Sequence, residues 1–167
     1  MSLSRTAKSA AVAALAATAL ALVPATSQAA ALATIAPSSD VSILAAGDGT
    51  PAGAVAWFRA RIGSTAYHGY CEKAVENAYG TTGVWASANA YWNGASHKHA
   101  GDRNPPLGAF VYWNISSPYG HVGISDGAGG FYATSVGGKI GHVTKSQGGY
   151  SYYSNYRGWT PAAVPHQ

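Results

Sequence analysis

The sequence predicts an α+β domain, helices first and an antiparallel sheet after. Between residues 53 and 92 the apolar residues recur at helical spacing. After Pro106 the pattern changes to short, dense apolar runs. Glycine-rich turns such as Asp126-Gly127 and Gly137-Gly138 separate those runs.

The elements follow in order. Gly53 to Ile62 reads as a helix, with Val55, Phe58 and Ile62 on one face and Arg59 and Arg61 off it. A second helix runs from Cys71 to Tyr79. Ala74, Val75, Ala78 and Tyr79 are expected to face inward, and Glu72, Lys73 and Glu76 to face water. Gly80 follows as a C-cap. Val84 to Trp92 reads as a short third helix, and 93–106 as a polar loop closed by two prolines. Strands are expected at 109–113, 121–125, 130–135, 139–144 and 156–159. Gln147 to Asn155 reads as a Tyr/Ser/Gly loop, either a wall of a binding groove or a cover for the sheet edge.

The first 29 residues read as a signal peptide. Arg5 and Lys8 precede an apolar run from Ala10 to Val23, Pro24 breaks it, and Ser27-Gln28-Ala29 suits a signal peptidase. Residues 30–52 then form a flexible leader, 53–162 the folded domain and 163–167 a tail. The expected product is secreted, extracellular or wall-associated, without stable membrane association, and monomeric. The formal charge of +4 includes Arg5 and Lys8; without them eight Lys and Arg face six Asp and Glu. So weak an excess, with no basic run, argues against nucleic-acid binding.

The chain has one cysteine, Cys71. Exported proteins usually carry cysteines in pairs, because the outside oxidises them to disulfides. A lone one is a buried bystander, half of an intermolecular bridge or a working thiol. Cys71 follows Gly69 at the start of a predicted helix, where free N–H groups and the helix dipole lower a thiol's pKa. Backbone N–H groups there, that of Glu72 among them, can hold an oxyanion. His121, at the start of the strand Gly120-His-Val-Gly-Ile124, is the candidate base. Val122 and Ile124 would anchor the strand on its other face, and Gly120 and Gly123 would leave room around the ring. A helix-start cysteine is most often a small buried hydrophobe, and a lone strand histidine is more often structural. His68, His142 and His166 are weaker candidates. His97, His99 and Asp102 have zinc-ligand residue types at short spacing, yet they sit in a predicted loop without a second paired motif. Solvated histidines are the default there, and no metal or other cofactor is expected.

Three segments together, Gly63-Ser-Thr-Ala-Tyr67 … Cys71, Pro106-Leu-Gly-Ala-Phe-Val-Tyr-Trp113 and Gly120-His-Val-Gly-Ile124, resemble the NlpC-type cell-wall cysteine peptidases and the related CHAP amidases. The resemblance covers about residues 54–159. It implies a papain-like α+β fold and cleavage of amide bonds in peptidoglycan stem peptides. It also implies Cys71 as nucleophile, His121 as base, and Tyr67 as a tyrosine shaping the site near the thiol and oxyanion. The family's Asp-Cys-Ser is here Tyr70-Cys71-Glu72, and its Pro-Gly-Asp-Leu is here Leu107-Gly-Ala-Phe110. Its third catalytic residue falls near Ala133, which cannot orient an imidazole. Ser135 is the tentative substitute, with Thr134, a backbone carbonyl or a bare dyad as alternatives. Asn93, Asn114 and Asn155 are further candidates whose loop or turn reading is preferred. Two other functions fit the same residues: a non-catalytic wall-binding module, and a different acyl-transfer enzyme such as a deamidase.

Overall fold

The computed structural model describes residues 46–162. The predicted signal peptide, residues 30–45 of the predicted leader and the tail at 163–167 lie outside them. Three helices and a sheet give the expected α+β class: α1 (Pro51–Arg59), α2 (Cys71–Ala78), α3 (Ala88–Gly94), β1 (His99–Ala100), β2 (Phe110–Trp113), β3 (His121–Ser125), β4 (Phe131–Val136), β5 (Lys139–Val143) and β6 (Tyr156–Thr160). The six strands pair antiparallel in the order β1-β6-β2-β3-β4-β5.

The helix boundaries differ from the expected ones for local reasons. α1 starts two residues early because Thr50 caps it, its Oγ1 accepting from Gly53 N at 2.9 Å, and Pro51 suits the first turn. Gly47 N donates to Asn77 O at 2.8 Å, so residues 47–52 belong to the fold and not to the leader. α1 also ends at Arg59, which throws Ile62 out to 56 % exposure. Arg61 is buried instead, its guanidinium 3.9 Å from the centre of the Trp57 ring. α3 starts only at Ala88, capped by Ser87 Oγ. Residues 83–85 are held off the helix because the Glu76 carboxylate accepts from Gly83 N and from Trp85 N. The two-residue strand β1 was read as loop; it pairs His99 with Trp159 and is too short to carry an apolar pattern.

The sheet is buried on both faces, which is why its strands read as continuous apolar runs. Phe110, Tyr112, Val122, Ile124, Tyr132 and Ile140 pack against the three helices. Val111, Trp113, Phe131, Ala133 and Val143 face the other way, under Tyr150 and Tyr153. The tyrosine-rich 147–155 segment, part of it short 3₁₀ turns, therefore covers a sheet face and not merely an edge.

Two contacts set the start of β3. Asn89 N, in the first turn of α3, donates to Tyr119 O at 2.8 Å. Gly120 has φ +76°, and a Cβ there would lie 2.4 Å from Asn89 Oδ1. Gly120 and Gly123 are thus sites of close packing, not of spare room; a Cβ on Gly123 would come 2.5 Å from Tyr132 O. Gly120→Ala should cost about 1–3 kcal/mol in urea unfolding. A change within about 0.5 kcal/mol would refute the close approach.

Candidate active site

Hydrogen bonding along β3 decides what faces Cys71. Ser125 exchanges both backbone bonds with the β2 side, through Ala109 O and Gly108 N. By strand alternation Gly123 and His121 do the same, so the amides of Ile124 and Val122 point toward β4. There the ladder is short: only Ile124↔Tyr132 and Ser125↔Phe131 pair. The β4–β5 register shifts between Ala133 and Val136, so Thr134 and Ser135 form a bulge. Val122 N–H is left without a β4 partner, and it interacts with the sulfur of Cys71.

Cys71 is the first residue of α2, after Tyr70, whose side chain makes no cap. The preceding chain is tied to β5, Gly63 N donating to Ile140 O and Ile140 N to Ser64 O, each at 2.8 Å. The thiol is half-buried and free. Burial pushes its pKa up from the ordinary value, and the neighbouring Glu72 charge adds to this; the Val122 amide and the helix-start amides pull only partly the other way. The expected lowering by the helix start is overturned, because desolvation outweighs it.

His121 is 4 % exposed and its Nε2 has no hydrogen-bond partner. Burial alone lowers its pKa to about 4. Cys71 makes no contribution to that shift, and burial holds the thiol and the imidazole each in the neutral form. Aromatic rings hold the imidazole: Trp113 at 5.9 Å and Tyr153 edge-on at 5.0 Å between centroids. Tyr153 also couples electrostatically to Cys71, and its hydroxyl is buried without a partner. Sequence reasoning did not single out Tyr153, which lies 32 positions from His121 in a segment expected to wall a groove or cover the sheet edge.

The remaining candidates are placed as follows. Ser135 lies in the β4 bulge, and His121 Nε2 has no hydrogen bond from it or from any other described residue. Thr134 Oγ1 is buried and also unpartnered. The Tyr67 hydroxyl accepts from Asn77 Nδ2 at 3.1 Å, more than a turn along α2 from Cys71, and Tyr67 and Cys71 pack against the same core cluster. Asp126 Oδ2 binds His142 Nε2 at 2.8 Å, and that ring stacks on Tyr132. His99 stacks on Trp159 at 3.6 Å between centroids, while Asp102 accepts from the Trp159 indole. Among the described residues no three His, Cys, Asp or Glu side chains group as metal ligands.

Glu72 and Glu76, expected on the wet side of α2, are both buried. Glu76 is satisfied by the 83–85 backbone, whereas both carboxyl oxygens of Glu72 lack partners. Burial first, and Glu76 second, raise the Glu72 pKa to about 8. Beside these residues opens a cavity of about 320 Å³ lined by Tyr70, Cys71, Glu72, Trp85, Ala88 and Tyr119 among others. Tyr70 and Tyr119 are 63 % and 66 % exposed. A larger cavity of about 380 Å³, between Arg103 and Lys145, does not include Cys71. Comparison with protein-family models, curated proteins and solved structures returns no match to this chain.

Two pH effects follow. Iodoacetamide should alkylate Cys71 slowly at pH 7, with a rate inflection above that of an ordinary thiol. An inflection below pH 7 would show a thiolate–imidazolium pair and refute the neutral one. Native Glu72 keeps its proton between about pH 4.5 and 8, where an unfolded Glu loses it. Its contribution to stability therefore falls as pH rises through that window. His121 acts oppositely between pH 6.5 and about 4, where the unfolded state takes up the extra proton. Above pH 6.5 the Glu72 effect is unopposed by His121. Wild type should lose roughly 1–3 kcal/mol between pH 6.5 and 8.5 that Glu72→Gln retains, read from urea midpoints. Parallel pH profiles would show that Glu72 is not buried as an acid.

Proposed function

We propose that this chain is a secreted cysteine hydrolase of the NlpC/CHAP type, with a papain-like fold, that cleaves amide bonds in peptidoglycan stem peptides. One observation carries the chemistry: the Cys71 thiol sits at a helix start within reach of the backbone amide of Val122, the residue that follows His121, and borders an aromatic-rimmed cavity. The substrate class rests on the motif resemblance and the export-type leader. No partner beyond wall peptides and no cofactor is required, and the enzyme would act as a monomer.

His121, neutral down to about pH 4, is available as a base at neutral pH. It takes the proton of Cys71 as Sγ adds to the scissile carbonyl carbon. The oxyanion is held by N–H groups at the start of α2, that of Glu72 among them. The C–N bond then breaks, the His121 imidazolium protonates the leaving amine, and a thioester remains. Water, deprotonated by His121, adds to the thioester and releases the acid and the thiol.

A second reading has one observation in its favour. With a raised thiol pKa and an unpartnered His121 Nε2, the same cavity suits a wall-binding module that breaks no bond.

The purified protein should release new amino groups from a peptidoglycan suspension. Cys71→Ala should abolish release, and His121→Ala should lower it at least roughly 100-fold. Ser135→Ala should stay within about twofold of wild type, since that hydroxyl orients nothing. Wall binding by wild type with no bond broken would establish the second reading.

A further inference from the structure

Glu72 is the least compensated group among the described residues. It is 6 % exposed, and neither carboxyl oxygen has a donor. Burying a carboxyl without partners costs several kcal/mol of the order expected for an unmade charged hydrogen bond. Every titratable group around it is acidic or neutral: Cys71 and Glu76 on its own helix, Tyr91 on α3 and Tyr112 on β2. Among the described residues that line the cavity, the one cation is the exposed Lys73. Opposite in character, the indole N–H of Trp85 is also buried without an acceptor. Trp85 is fixed in place by its backbone bond to Glu76 and by stacking on Tyr91 at 5.0 Å. Both residues line the cavity that contains Cys71.

We propose that this cavity is the substrate subsite for a primary ammonium group flanked by a carbonyl oxygen, the ammonium pairing with Glu72 and the oxygen accepting from the Trp85 indole. The inference rests on the hydrolase reading for its place beside the scissile bond. An unpaired acceptor and an unpaired donor, buried on two residues that line one cavity, match a ligand that brings the complementary pair. Wall peptides offer that pair in two places. One is a free N-terminal residue; the other is the amino-acid end of a diamino dicarboxylic acid side chain. A neutral acid in the empty site would ionise as the ammonium arrives, so binding at pH 7 expels a proton.

The test uses a stem tripeptide ending in a diamino dicarboxylic acid. It is prepared free, acetylated at the N-terminus, acetylated on the side chain, and acetylated at both. Binding to the Cys71→Ala protein is measured by calorimetry at pH 7 in two buffers of different ionisation heat. Acetylating one of the two amines should weaken binding at least about tenfold and identify the source. About one proton should be released with the free peptide. Glu72→Gln in the Cys71→Ala background should abolish both the discrimination and the proton release. Equal binding of all four peptides, no binding of any, or discrimination that survives Glu72→Gln would overturn the inference. Wild-type hydrolysis of the same set separates the two ideas. Cleavage of all four at one KM retains the hydrolase and removes the subsite. Discrimination in binding with no cleavage retains the subsite and removes the hydrolase.

Discussion

The site depends on where the β3–β4 ladder stops. Two paired residues hold the strands together at the Ser125 end, and the β4 bulge then carries Thr134 and Ser135 off register. The Val122 amide loses its strand partner as a result. The thiol of Cys71 at the start of α2 lies close enough to that amide for the amide to favour its thiolate. The same register sends Val122 and Ile124 into the helical core and His121 to the opposite face, under Trp113 and Tyr153. Thiol and imidazole are thus positioned by backbone geometry and ring packing, not by a hydrogen-bonded triad.

That arrangement explains the charge state of the resting site. Each group is desolvated, and no charged partner compensates either. Desolvation always favours the neutral form, so it raises the thiol and lowers the imidazole. A helix start contributes at most a modest stabilisation of an anion, and at α2 the adjoining Glu72 acts against it. Burial therefore wins on both sides of the pair. Tyr153 adds bulk above the imidazole without offering it a seen hydrogen bond, because its own hydroxyl is unpartnered.

Much of the scaffold was legible in the sequence. Cys71 opens its helix, Gly80 with φ +76° follows its end, and Val122 and Ile124 anchor β3, because period and turn chemistry encode such features locally. What escaped depends on contacts between distant segments. Trp85 was placed on a helix, but Glu76 captures the 83–85 backbone, and no propensity records that. Glu72 and Glu76 were assigned to water because carboxylates are rarely buried. Their burial is set by distant segments: the 83–85 backbone closes on Glu76, and Glu72 lies within electrostatic reach of Tyr91 on α3 and Tyr112 on β2. Counting along the strand points to Ala133 for the orienter, with Ser135 as its substitute, and the bulge takes Thr134 and Ser135 off that register.

The buried Glu72 also bears on the chemistry next to it. An ionised Glu72 disfavours the Cys71 thiolate, since two anions would then share a poorly solvated corner. Kept neutral, it does no such harm, but it stays an unpaired acid at a cost to stability. An ammonium in the cavity resolves the conflict: it pairs with the carboxylate and cancels the field that opposes thiolate formation. On the hydrolase reading, the group that would recognise substrate then ionises only together with its counter-charge, and so would not oppose the nucleophile. A non-reacting part of the peptide would thus be recognised by a carboxylate next to the thiol without an electrostatic penalty on thiolate formation.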